Sequence, residues 1–157
     1  MLNAVRIKPL LLACLLMIVG IIFYSQIRGC NALFLVPLNN TSLCQTTQFN
    51  STAISALINA LPTFIHCAAF CFLTLSLVKN TLRNAVLTCE SWVLIGSTFE
   101  LLQLISSAPT NNLLINYFNQ GTYTHLDLLA VICGGLVVYF YQKYTGNCHE
   151  SVKNCGA

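Results

Sequence analysis

Residues 56–78 read ALINALPTFIHCAAFCFLTLSLV, 23 positions without one Lys, Arg, Asp or Glu. An α-helix rises about 1.5 Å per residue, so about 20 such residues cross a hydrocarbon layer of about 30 Å. A run this long and this free of charge predicts a transmembrane helix. Working outward, three more apolar runs cover residues 7–24, 85–105 and 124–141. The last reaches span length only if it opens at Thr124 and ends among Tyr139, Tyr141 and Tyr144, placed as an aromatic interface belt would be. The expected fold class is an all-α membrane protein, one domain built as a bundle of about four transmembrane helices.

Composition agrees. The 157 residues are 56% apolar and 7% charged, with a mean hydropathy of +0.72. A soluble domain carries about 25% charged residues with which to face water. The net charge of +3 is small, and seven Lys and Arg scattered along the chain leave no footprint for nucleic acid. Their placement sets an orientation instead. Arg6, Lys8, Lys79, Arg83, Lys143 and Lys153 fall on one side of a four-span chain, and Arg28 on the other. Basic residues stay on the inner side, so both termini are expected inside, with outer loops at 25–55 and 106–123. A cleaved signal peptide is the alternative for the first run. However, Ser25-Gln26-Ile27-Arg28-Gly29-Cys30 has no A-x-A-like site, and the uncleaved span is the expectation.

The first outer loop holds Cys30 and Cys44, which allow a single disulfide if that side is oxidising; two free thiols are the alternative. Its Asn-x-Ser/Thr triplets at Asn40 and Asn50 read as loop composition, as does Asn39-Asn40-Thr41. The second outer loop carries LLINYF at 113–118, too short to span and apolar enough to lie along the interface. Cys14, Cys67, Cys71, Cys89 and Cys133 lie within the runs and are expected as small apolar filling. Cys67 and Cys71 share a helical face beside His66 but fall short of a zinc ligand set, as do Cys148, His149 and Cys155; no metal and no cofactor is expected.

Ionisable groups at membrane depth are costly and therefore informative. Glu90 is close enough to the inner end of its run to reach the interface. Glu100 lies about 15 Å further along the helix, Asp127 opens the fourth run two residues after His125, and His66 sits near the middle of the second. Gly96, Glu100 and Gln103 share one helical face, and Asp127, Ala130 and Gly134 another. The functional reading is an outward-facing polar pocket lined by His66, Glu100, Gln103, His125 and Asp127. The structural reading is a set of interhelical hydrogen bonds.

The same residues resemble a known family. Residues 61–138, about half the chain, are similar to the VanZ-like membrane proteins, whose helices carry D-K-x-x-H-F, then D-E-x-x-Q, then D-L-L-A-N-x-x-G. Here the first motif reads PTFIHC, keeping His66 with Pro62 and Thr63 in place of Asp and Lys. The second reads FELLQ, keeping Glu100 and Gln103 with Phe99 for the first acid. The third reads DLLAVICG, keeping Asp127, Leu128, Leu129, Ala130 and Gly134 with Val131 for Asn. The resemblance implies a multi-pass protein of the bacterial cytoplasmic membrane with a cell-envelope role. The family's named member is associated with resistance to the glycopeptide teicoplanin.

Three functional expectations follow. The first is a non-enzymatic envelope protein that binds a lipid or cell-wall precursor headgroup in the polar pocket, with an effect on glycopeptide sensitivity. The second is a membrane enzyme acting on a lipid-linked substrate, with Glu100 or Asp127 as base and His66 as acid. The third is a helical accessory subunit, in a homo-oligomer or with another membrane partner. The chain contains no P-loop, GxGxxG, HExxH or serine-nucleophile motif, so catalysis is not the leading expectation.

Overall fold

The structure, a computed structural model, describes residues 5–28, 52–104 and 123–154, with side chains at 5–23, 55–104 and 123–145. Cys30, Cys44, the 113–118 segment and the tail side chains lie outside the described residues. Those described are all helical apart from turns and short connecting residues: α1 (Ile7–Arg28), α2 (Thr52–Leu77), α3 (Leu82–Leu102) and α4 (His125–Asn154). Three segments are long and apolar enough to cross a membrane: Ser55–Leu77, Leu82–Leu102 and His125–Thr145. The expected first span corresponds to Ile7–Phe23, which is apolar but shorter.

The helix ends are set by local chemistry. Thr81 caps α3, its hydroxyl accepting from the Asn84 backbone N–H at 3.2 Å, so the helix opens at Leu82 rather than at the expected Ala85. At the other end the N–H groups of Gln103 and Leu104 donate to the carbonyls of Glu100 and Leu101, at 3.2 and 3.1 Å. These tighter bonds close α3 at Leu102, short of the expected 105. The fourth helix runs to Asn154, beyond the expected 141, because no Pro interrupts it and Gly146 alone does not break it. α2 passes through Pro62 without ending. Pro lacks an N–H and removes one helical bond, a loss that packing against neighbouring helices offsets.

α2 is the centre of the bundle, and each of its flanks seats a different helix. Ile65 and Ser76 face α1: Gly20 lies against Ile65, and the Arg6 backbone N–H donates to the Ser76 carbonyl at 2.9 Å. Phe70 and Thr74 face α3, where Trp92 stacks on Phe70 with ring centroids 4.7 Å apart and donates from Nε1 to Thr74 Oγ1 at 2.8 Å. Phe64, Cys67 and Ala68 face α4 at Gly134. α1 therefore runs antiparallel to α2, α3 antiparallel to α4, and α2 parallel to α4.

Small residues permit these approaches. A Cβ added to Gly134 would stand 2.8 Å from the Phe64 carbonyl oxygen and 3.2 Å from Cys67 Cβ. The next residue, Gly135, turns the other way and meets Val93 and the Cys89 carbonyl of α3. Between helices in lipid the hydrophobic effect contributes little, and close backbone contact of this kind supplies the attraction. The buried stripe of α4 runs Asp127, Val131, Gly134, Gly135, Val138, Gln142, at intervals of three and four residues plus the adjacent glycine pair. Cys67, Cys71 and Cys89 fill the centre with Leu75 and Val138, as small apolar residues do.

Candidate functional site

The two buried carboxyls of the described residues are brought to one level by a packing contact one turn away. Gly96 of α3 lies against Val131 of α4, where a Cβ on the glycine would be 2.9 Å from Val131 Cγ1. Four residues further along α3 is Glu100, and four residues back along α4 is Asp127. Because the helices are antiparallel, both steps of about 6 Å lead in the same direction. Glu100 and Asp127 thus occupy one layer of the α3–α4 seam, and both are buried. This layer is at the end of the bundle opposite Arg6, Lys79 and Lys143, and is called the acid end below.

Several hydrogen bonds in that layer are local. Gln103 donates from Nε2 to Glu100 Oε2 at 3.2 Å, joining the expected i, i+3 pair. Asp127 Oδ2 accepts from the Thr124 backbone N–H at 3.2 Å and from the Thr124 hydroxyl at 2.8 Å. The Asp127 N–H reaches back to Thr124 Oγ1 at 3.3 Å. Thr124 and Asp127 form a reciprocal capping box, with Asp127 at the third helical position where the helix dipole favours negative charge. His125 is exposed and hydrogen-bonds through Nδ1 to the Tyr123 hydroxyl at 3.0 Å, with the two rings edge-on. It stands at the mouth of the same layer, at the start of α4.

His66 is placed elsewhere. Phe64 and Ala68 face α4, and a helix turns about 200° in two residues, so His66 between them points away from α4. It lies beside Gly20 of α1, where a Cβ would be 3.8 Å from His66 Cε1. Its Nδ1 is 2.7 Å from the Pro62 carbonyl oxygen. A carbonyl only accepts, so Nδ1 carries the proton in this bond. Along the axis, Gly134 marks the level of His66, about 10 Å from Asp127 seven residues earlier on α4. Among the five sequence-derived candidates, the geometry groups Glu100, Gln103 and Asp127 with His125 at the rim, and sets His66 on the α1–α2 seam. Among the described residues, no three His, Cys, Asp or Glu side chains are arranged to hold a metal ion.

At the opposite end the structure assembles a polar cluster that sequence reading treated only as charge. Arg6 Nη2 donates to Gln142 Oε1 at 3.3 Å, and Gln142 Nε2 donates to Asn80 Oδ1. Asn84 Nδ2 donates to the Lys79 carbonyl at 3.0 Å. The start of α1, the α2–α3 turn and α4 are thereby joined. Burial pushes the Arg6 guanidinium below its usual value, with Tyr141 acting in the opposite sense, and the group remains a cation. The available signal was the placement of Arg6, Asn80 and Gln142 at the ends of apolar runs.

No protein-family model, no curated protein and no solved structure matches this chain.

Proposed function

We propose that the chain is a four-span protein of a bacterial cytoplasmic membrane, with the acid end facing outward. There Glu100, Gln103 and Asp127 bind the headgroup of a lipid or cell-wall precursor. The observation that carries this reading is the burial of two carboxyls in one layer between α3 and α4, at the end opposite most of the basic residues. A buried carboxyl within or beside a membrane span is costly and is by default a candidate binding residue. Carboxyl oxygens accept hydrogen bonds, so the matching headgroup is rich in donors, amine or hydroxyl. The envelope assignment rests on the resemblance of the His66, Glu100–Gln103 and Asp127–Gly134 motifs to the VanZ-like proteins.

The test uses substitutions that keep size and hydrogen bonding. Glu100→Gln and Asp127→Asn are expected to be inserted normally but to fail to restore the glycopeptide or envelope-stress response of a deletion strain. Full complementation by both would remove the binding site.

A second reading is favoured by the capping box. If Asp127 serves only to start α4, Asp127→Asn keeps an acceptor for Thr124 and is silent, whereas Thr124→Val destabilises the helix by about 1 kcal/mol, the usual worth of a cap. The chain is then a helical scaffold or accessory subunit, and the two sets of variants separate the readings.

A further inference from the structure

We propose that the end of the bundle bearing Arg6 holds a second binding site, for the phosphate group of an anionic phospholipid. The inference rests on the membrane reading above and not on any role of Glu100 or Asp127. Its centre is Arg6. One edge of the guanidinium is fixed by Gln142, while Nη1 is buried without a hydrogen-bond partner among the described residues. An unpaired buried donor is costly, more so when it is charged, and structures keep few of them. The side chain as a whole is only half-buried, so its charge is presented at the bundle surface.

Four more cations lie within about one helical turn of that layer. Lys8 follows Arg6 by two residues, Lys79 and Arg83 flank the α2–α3 turn, and Lys143 adjoins Gln142; all four side chains are exposed. The layer is fixed by three elements at once, through the Arg6–Ser76, Arg6–Gln142 and Gln142–Asn80 bonds. The acids do not neutralise it. Glu100 and Asp127 are at the other end, Glu90 is exposed about 12 Å along α3 from Leu82, and Glu150 is two helical turns beyond Lys143 on α4. Five cations share the level at which a span ends, the depth of lipid phosphates. The permanent charge of the Arg6 guanidinium attracts a phosphate, and the exposed lysines add point charges at the same level.

The test is native mass spectrometry of the whole purified chain in neutral detergent, with phosphatidylglycerol and phosphatidylcholine of equal chain length at equal concentration. Phosphatidylglycerol is expected to be retained preferentially. Removing one basic residue near an anionic headgroup is expected to lower that retention about fivefold. Arg6→Gln should do so, and Arg6→Lys should restore part of it. Should Arg6→Gln fold poorly, Lys8→Gln with Lys143→Gln changes only exposed side chains and should reduce retention further. Glu100→Gln should leave it unchanged, which keeps this site separate from the acid end. Equal retention of the two lipids, or no response to the Arg6 and lysine variants, would overturn the proposal. Displacement of phosphatidylglycerol by an equal concentration of inorganic phosphate would overturn the lipid as occupant.

Discussion

Gly134 sits against Phe64 with backbone meeting backbone: the space where a Cβ would go ends 2.8 Å away at the Phe64 carbonyl oxygen. A carbonyl within a helix cannot swing aside as a side-chain tip can, so α4 would have to move off α2 as a body. The Gly96 contact is with the Cγ1 of buried, β-branched Val131, and the Gly20 contact with Ile65 Cγ2 is looser at 3.1 Å.

Alanine at these three positions should therefore be graded. Gly134→Ala is expected to lose about 2 kcal/mol or more, Gly96→Ala about 1–2, and Gly20→Ala less than 1, within the usual range for overpacking. Thermal unfolding in detergent, followed by the single Trp92, measures the order. A Gly134→Ala protein as stable as the parent would mean that α2 and α4 are not in this contact.

Trp92 contributes a stack on Phe70 and a hydrogen bond to Thr74. Trp92→Phe keeps most of the ring contact and loses the donor. Thr74→Val keeps the volume and loses the acceptor. Interhelical bonds of this type in membranes average about 0.6 kcal/mol. The double variant should cost less than the sum of the singles by about that amount, which a double-mutant cycle reads directly.

The proposed four-span orientation is checked by labelling. On a background with all nine cysteines replaced, Asn112→Cys should react with an impermeant thiol reagent in intact cells, and Arg83→Cys only after lysis. The reverse pattern would invert the bundle. Reaction of both before lysis would mean that α3 does not place the two positions on opposite sides of the membrane.

Cys30 and Cys44 are expected to be bonded when the protein is isolated without reductant. Mass spectrometry after alkylation, showing both modified as free thiols, would exclude the bond.

The four apolar runs were legible because length and lack of charge are properties of consecutive residues. The faces of single helices were also legible: Glu100 with Gln103, and Gly96 with Glu100, follow from spacing alone. Which helix a face meets was not. His66 shares the polar character of Glu100 and Asp127, but spacing within α2 does not reveal that Phe64 and Ala68 take the α4 side and leave His66 to α1. The buried stripe of α4 passes through Val131 rather than Ala130, a choice set by the position of Gly96 on another helix. The Thr124–Asp127 cap could have been read from Thr-x-x-Asp ahead of an apolar run, whereas the Arg6–Gln142–Asn80 chain depends on a fold already formed.

That last chain also orders events in time. Arg6 and Gln142 are 136 positions apart. A ribosome adding about 5–20 residues per second delivers the second roughly 7–27 seconds after the first. Until then α1 and α2 can lie side by side with the guanidinium still waiting for its acceptor, and α3 can join them. The bundle thus closes at this end only after α4 has been made, and a chain truncated before Gln142 leaves Arg6 without the amide that links it to Asn80.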